Sequence, residues 1–166
     1  MMITRSLAGI AFAAGILVLA PITASSANAS TAGASTASAS SSKWGPYYAR
    51  GTKAKALGTL TAAAKDDPSL PNPLVKVTGS VVSLSRTPST CGWAVFRFTT
   101  YDSANQPKLA YRNYRTCSYG VKKKISFSLK NVIDVELKVC SEKKAAKPSL
   151  NCEYSGTWKS LYVYYK

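Results

Sequence analysis

"VKKKISFSLKNVIDVELKVC", residues 121–140, decides the fold class. In its first half Val121, Ile125, Phe127 and Leu129 fall on one side of an extended chain. Lys122, Lys124, Ser126, Ser128 and Lys130 fall on the other. Asn131 interrupts the run, and Ile133, Val135, Leu137 and Val139 then resume an inward-facing series. A period of two with one polar face is the pattern of a strand packed on one side only, and antiparallel sheets supply that setting.

The same grammar extends in both directions. Upstream lie "LVKVTGSVVSLS" (74–85), "CGWAVFRFTTY" (91–101) and "KLAYRNYRTC" (108–117), punctuated by "RTPST", "DSANQP" and "SYG". Downstream, the polar loop "SEKKAAKPSLNCEYSG" (141–156) leads to "TWKSLYVYY" (157–165). Six strands between turn signals predict an all-β domain over 74–166, an antiparallel two-sheet β-sandwich whose connectivity resembles the immunoglobulin type. On the last strand, Leu161 and Val163 are expected inside, with Trp158, Tyr162 and Tyr164 on the outer face.

Four cysteines, Cys91, Cys117, Cys140 and Cys152, all fall in this domain. An even count in a small exported domain implies two disulfides, for which three pairings exist. Cys91–Cys117 and Cys140–Cys152 are expected, because each would tie sequence-adjacent strands. A zinc site is disfavoured: there is no C-x-x-C spacing and no histidine to share the ligation.

Ahead of the domain the composition changes twice. Arg5 is the only charge in the first 42 residues, and it precedes the apolar stretch "LAGIAFAAGILVLA" and the small-residue site "ANA" at Ala27, Asn28 and Ala29. This is the layout of a secretory signal peptide over 1–29, and it predicts a secreted, extracellular protein without membrane insertion. Residues 30–42 are a low-complexity Ser/Ala/Thr tether. Residues 43–73 read as a basic aromatic arm, extended or marginally helical, in which Ala54, Leu57, Leu60 and Ala64 make a weak helical face. The proline-rich piece 68–73 reads as a stiff hinge.

Charge and composition exclude most catalysis. The chain has 22 Lys and Arg, 7 Asp and Glu and no His. Without histidine the commonest general base is missing. Asp134 and Glu136 share a strand face two residues apart, but among so many lysines they read as surface ion pairs rather than a glycosidase pair. No phosphate loop, cofactor motif or metal-ligand cluster is present, so neither an enzyme nor a cofactor is expected. Basic and aromatic residues together also suit nucleic acid, yet no recognised motif supports that partner.

The layout as a whole resembles the small adaptor subunit of the umbrella toxin particles secreted by Streptomyces. The resemblance is carried by "KWGPYYARGTKAKAL" (43–57) before the fold and by the cysteines at 91, 117, 140 and 152. It implies a non-enzymatic bridge in an antibacterial toxin complex. The β-domain would hold a large repeat-containing toxin subunit, and the N-terminal arm would enter the cleft of a lectin-bearing, trypsin-like subunit. The protein-binding residues expected are Trp44, Tyr47, Tyr48, Arg50, Lys53 and Lys55 on the arm, and Trp158, Tyr162 and Tyr164 on the last strand. Rings and cations are the residue types that anchor protein interfaces. Two other classes fit the composition: a secreted protease inhibitor using loop 141–156 with Lys143, Lys144 and Lys147, and a cationic binder of cell-wall polyanions.

Overall fold

The computed structural model describes residues 38–67 and 69–164. Eight strands run β1 (Ser40–Tyr48), β2 (Ala54–Ala62), β3 (Val75–Ser83), β4 (Thr90–Tyr101), β5 (Pro107–Thr116), β6 (Lys122–Leu129), β7 (Val132–Lys143) and β8 (Lys159–Val163). One short helix, α1 (Leu150–Tyr154), lies between β7 and β8. The strands form two antiparallel four-stranded sheets, β1-β2-β3-β6 (sheet 1) and β5-β4-β7-β8 (sheet 2). The all-β, two-sheet reading therefore holds, and all six expected strands are present. Strands β3 to β8 occupy the places of B, C, C′, E, F and G in an immunoglobulin sandwich, with β2 in the place of A.

The boundary at residue 74 does not hold. Residues 40–62, read above as tether and arm, form β1 and β2 and complete sheet 1. The physical reason lies in β2. Ala54, Ala56, Leu60 and Ala62 are buried at alternate positions with Gly58 between them, whereas Leu57 is exposed. That is a period of two written in small residues, which have little intrinsic preference for strands. The proline-rich piece is likewise no hinge into the fold. It belongs to the β2–β3 connection, and the buried Asn72 ties it down by exchanging backbone hydrogen bonds with Val132 while its side chain reaches Ala63 O and Leu74 N. The signal-peptide segment and residues 30–37 lie outside the described residues.

Trp44 explains why the leader belongs inside. It is buried and stands edge-on to Phe96 across the sandwich, with ring centroids 5.9 Å apart. Its indole lies over Gly58 and Gly79, which face each other in register on β2 and β3. A Cβ on either glycine would come within 2.5 Å (Gly58) or 2.7 Å (Gly79) of the indole Cζ2. Glycine in a strand interior marks such a close approach. Gly45–Pro46 makes the bulge that shifts the register after Trp44 and lets Tyr47 pack against the core while Tyr48 turns outward. The rest of the core is Val75, Val77, Val81, Ala94, Phe96, Phe98, Ile125, Phe127, Leu129, Val132, Val135 and Leu137.

Both disulfides pair as expected, Cys91–Cys117 and Cys140–Cys152, and no described cysteine is free. Among the described residues no helix is long and apolar enough to cross a membrane. Two closed disulfides are compatible with an extracellular setting.

Candidate protein-binding surface

The outer face of sheet 2 carries a second, smaller hydrophobic cluster. Cys91, Trp93, Val95 and Cys152 are buried in it, with Tyr111, Cys117, Cys140 and Trp158 packed around them. Odd-numbered residues of β4 point this way, because Ala94, Phe96 and Phe98 fill the main core. Both disulfides therefore lie on one face, where Cys140–Cys152 ties α1 to the strand it follows. Ser149 caps α1 by accepting from Cys152 N–H, and Glu142 in turn accepts from the Ser149 hydroxyl and N–H.

Polar chemistry surrounds that cluster. The Arg97 guanidinium lies 4.4 Å from the Trp158 ring centre, and the Lys138 ammonium lies 4.5 Å from it. Arg97 Nε donates to Glu136 Oε2 at 2.7 Å, closing a partly exposed ion pair. Lys138 is buried and donates to Ser155 O at 2.6 Å. Burial, helped by the nearby Arg97 charge, holds its ammonium below the ordinary lysine pKa. Tyr111 packs beside Trp158 and Tyr154, and Arg115 lies over Trp93. Asp134 borders the same face; burial first, and the neighbouring Glu136 charge second, push its carboxyl pKa up against the hydrogen bond from Thr99. The pair Asp134 and Glu136 is thus split: Glu136 forms the expected kind of surface ion pair, with Arg97, whereas Asp134 accepts from Thr99.

Lys138 also reaches into an adjoining groove of about 600 Å³, lined by Tyr48, Arg50, Lys138, Ser141, Glu142, Asn151, Ser155, Thr157 and Lys159. This brings two of the expected leader residues next to the last strand. Tyr48 and Arg50 are exposed there. Lys53 is exposed and Lys55 half-buried, but neither lines the groove. Trp44 is a core residue and cannot meet a partner, and Tyr47 packs against the same core.

The three rings of the last strand part company. Trp158 takes the outer face, as expected. A bulge then inserts Leu161 between Ser160, which pairs with Glu136, and Tyr162, which pairs with Val135. The extra residue reverses the alternation, so Tyr162 packs against the main core. There it shares a hydrogen bond with the Asn72 side chain, and burial raises its phenol pKa. Tyr164 lies beneath Lys65, whose ammonium is 5.2 Å from the ring centre. A bulge near Thr99 and Thr100 does the same on β7, burying Val132 and leaving Ile133 only half-buried.

Arg97 and the buried Lys138 are the residues of this face that the reading of binding sites from sequence passed over. A signal existed: Arg97 and Lys138 are lone cations within apolar strands, and alternation puts Arg97 on the face of Trp93 and Val95. No protein-family model, curated protein or solved structure matches the chain.

Proposed function

We propose that this protein is a secreted, non-enzymatic adaptor that joins two other proteins, in the manner implied by its resemblance to the small subunit of the umbrella toxin particles. The observation that carries the reading is the groove where Tyr48, Arg50, Lys138 and Lys159 meet beside the Arg97–Trp158 stack. An exposed ring and exposed cations around a recess backed by a disulfide-stapled cluster are the composition of an interface anchor. Because residues 43–57 build the sandwich, the contact once assigned to them passes in part to Tyr48 and Arg50.

Affinity purification of the tagged protein from culture medium tests this. Tyr48→Ala with Arg50→Ala should lose one co-purifying protein with an unchanged melting temperature. A wild-type protein that elutes as a lone monomer, or a variant that keeps both partners, would overturn the adaptor reading.

A second reading rests on its own observation. The end of β7 and the loop after it are stapled by Cys140–Cys152 and expose Lys143, Lys144 and Lys147, as a reactive loop of a protease inhibitor would. Inhibition of trypsin by purified protein, abolished by Lys→Ala changes at these three sites, would favour it over the adaptor.

A further inference from the structure

The outer face of sheet 1 is distinct from the outer face of sheet 2 and adjoins the groove described above only at Tyr48, the neighbour of Lys55. In register across its strands run the rows Lys122–Val82–Lys55, Lys124–Ser80–Leu57, Ser126–Thr78–Thr59–Lys43 and Ser128–Lys76–Thr61–Ser41. The positions between them point inward, since Val75, Val77 and Val81 of β3 and Ile125, Phe127 and Leu129 of β6 are buried. Lys43, Lys76, Lys122 and Lys124 are exposed, Lys55 is half-buried, and the serines and threonines among them are exposed or half-buried. None of the seven acids of the chain lies in β1, β2, β3 or β6. Ordinary solvated faces mix both signs; five lysines spread over one sheet without a single carboxylate make a continuous positive field.

We propose that this face binds a flexible phosphodiester polymer of polyol units, of the kind found in bacterial cell walls. Same-face neighbours along a strand are about 7 Å apart and adjacent strands about 4.8 Å, so the ammonium groups form a two-dimensional array that an extended polyanion crosses in several ways. Charge complementarity selects a polyanion, and the intervening residues select its type. Serine and threonine hydroxyls hydrogen-bond to polyol groups. Lysine and serine are depleted in protein interfaces, and the face lacks apolar anchors apart from Leu57, which disfavours an acidic protein. Single-stranded nucleic acid needs a series of stacking rings, and Tyr48 at the margin is the one aromatic on these rows.

The test measures binding of the full secreted protein to immobilised poly(glycerol phosphate) over a series of salt concentrations. Replacing Lys55, Lys76, Lys122 and Lys124 with Gln should weaken binding about tenfold or more and flatten the slope of log affinity against log salt by about 3 units. The same charge change at Lys108, Lys143, Lys144 and Lys147, outside sheet 1, should weaken it no more than about twofold and leave most of the slope. Should the first variant fail to fold, Lys122→Gln with Lys124→Gln on the edge strand must still weaken binding more than the four control changes. Equal losses in the two sets would reduce the effect to net charge and overturn the proposal. So would absence of binding at low salt, or tighter binding to polyglutamate or to an oligothymidylate. The outcome is independent of the adaptor reading, whose variants lie on other residues.

Discussion

The indole of Trp44 meets the ring of Phe96 at 80°, edge to face, across the space between the two sheets. Phe96 makes a second such contact with Phe127, at a centroid distance of 5.1 Å, so one ring from β1, one from β4 and one from β6 lock together. The first strand is therefore part of the core's geometry and not a leader laid on a finished domain.

Trp44→Ala should accordingly cost about 3–5 kcal/mol, the usual range for deleting a buried aromatic. Trp44→Phe should cost clearly less, because the lost indole N–H has no acceptor among the described residues. Urea denaturation of the three proteins gives the comparison. Equal stability of wild type and the alanine variant would contradict the packing.

Gly79→Ala would set a methyl 2.3 Å from Leu57 O and 2.7 Å from the indole Cζ2, and overpacking of this sort costs about 1–3 kcal/mol. The same change made on the Trp44→Ala background should be milder by the ring's share alone, since the approach to Leu57 O at 2.3 Å remains. A double-mutant cycle reads that coupling directly, and strict additivity would show that the glycine pair does not serve the indole.

Deleting residues 43–57 removes most of β1 and the start of β2. The truncated chain should lose cooperative unfolding and the dispersed amide spectrum of a folded β protein. Deletion of residues 30–38 should preserve both. A folded product from the larger deletion would restore the picture of an independent arm.

Cys140 and Cys152 close a loop of sequence separation 12. Replacing both with Ala should cost about 3 kcal/mol by the loop-entropy model. It should also loosen α1 and its cover over Cys152 and Trp93. Faster hydrogen exchange confined to residues 141–158 is the expected signature, with β2 and β3 unaffected.

Asp134 offers a pH test with a definite sign. Its folded pKa is raised above the ordinary 3.8, by burial first and by Glu136 second, so ionising it opposes folding. The stabilising contribution is fully present below 3.8 and is lost as pH rises through the folded value. Asp134→Asn should therefore be more stable than wild type at neutral pH, and the difference should shrink as pH falls below the carboxylate range. Melting temperatures across that range decide it, and an advantage that grows on acidification would refute the burial argument.

The legible part of the fold was the part written in branched and aromatic residues. Val75 to Val82 and Ile125 to Leu129 alternate large apolar with polar side chains, so period, face and turn were all readable. The strand Ala54–Ala62 alternates just as strictly, but its inward positions are alanine, leucine and glycine. Such small side chains carry little strand signal until the tryptophan that fills the space above them is known. The glycines at 58 and 79 acquire meaning only as a cross-strand pair. For the candidate surface the limit was parity. Bulges at Gly45–Pro46, Thr99–Thr100 and Leu161 each shift the alternation by a residue, which sends Tyr162 inward and frees Tyr48. A bulge depends on the partner strand, and so a single strand read by itself does not announce it.

The acid-free sheet has a consequence for handling the molecule in the laboratory. With no carboxylate on the strands of sheet 1, and with Asp134, Glu136 and Glu142 set among the cations of sheet 2, the protein presents its least compensated positive face on sheet 1. On a cation exchanger it would dock in one preferred attitude and elute at higher salt than its titration curve alone dictates, with the opposite sheet facing the mobile phase.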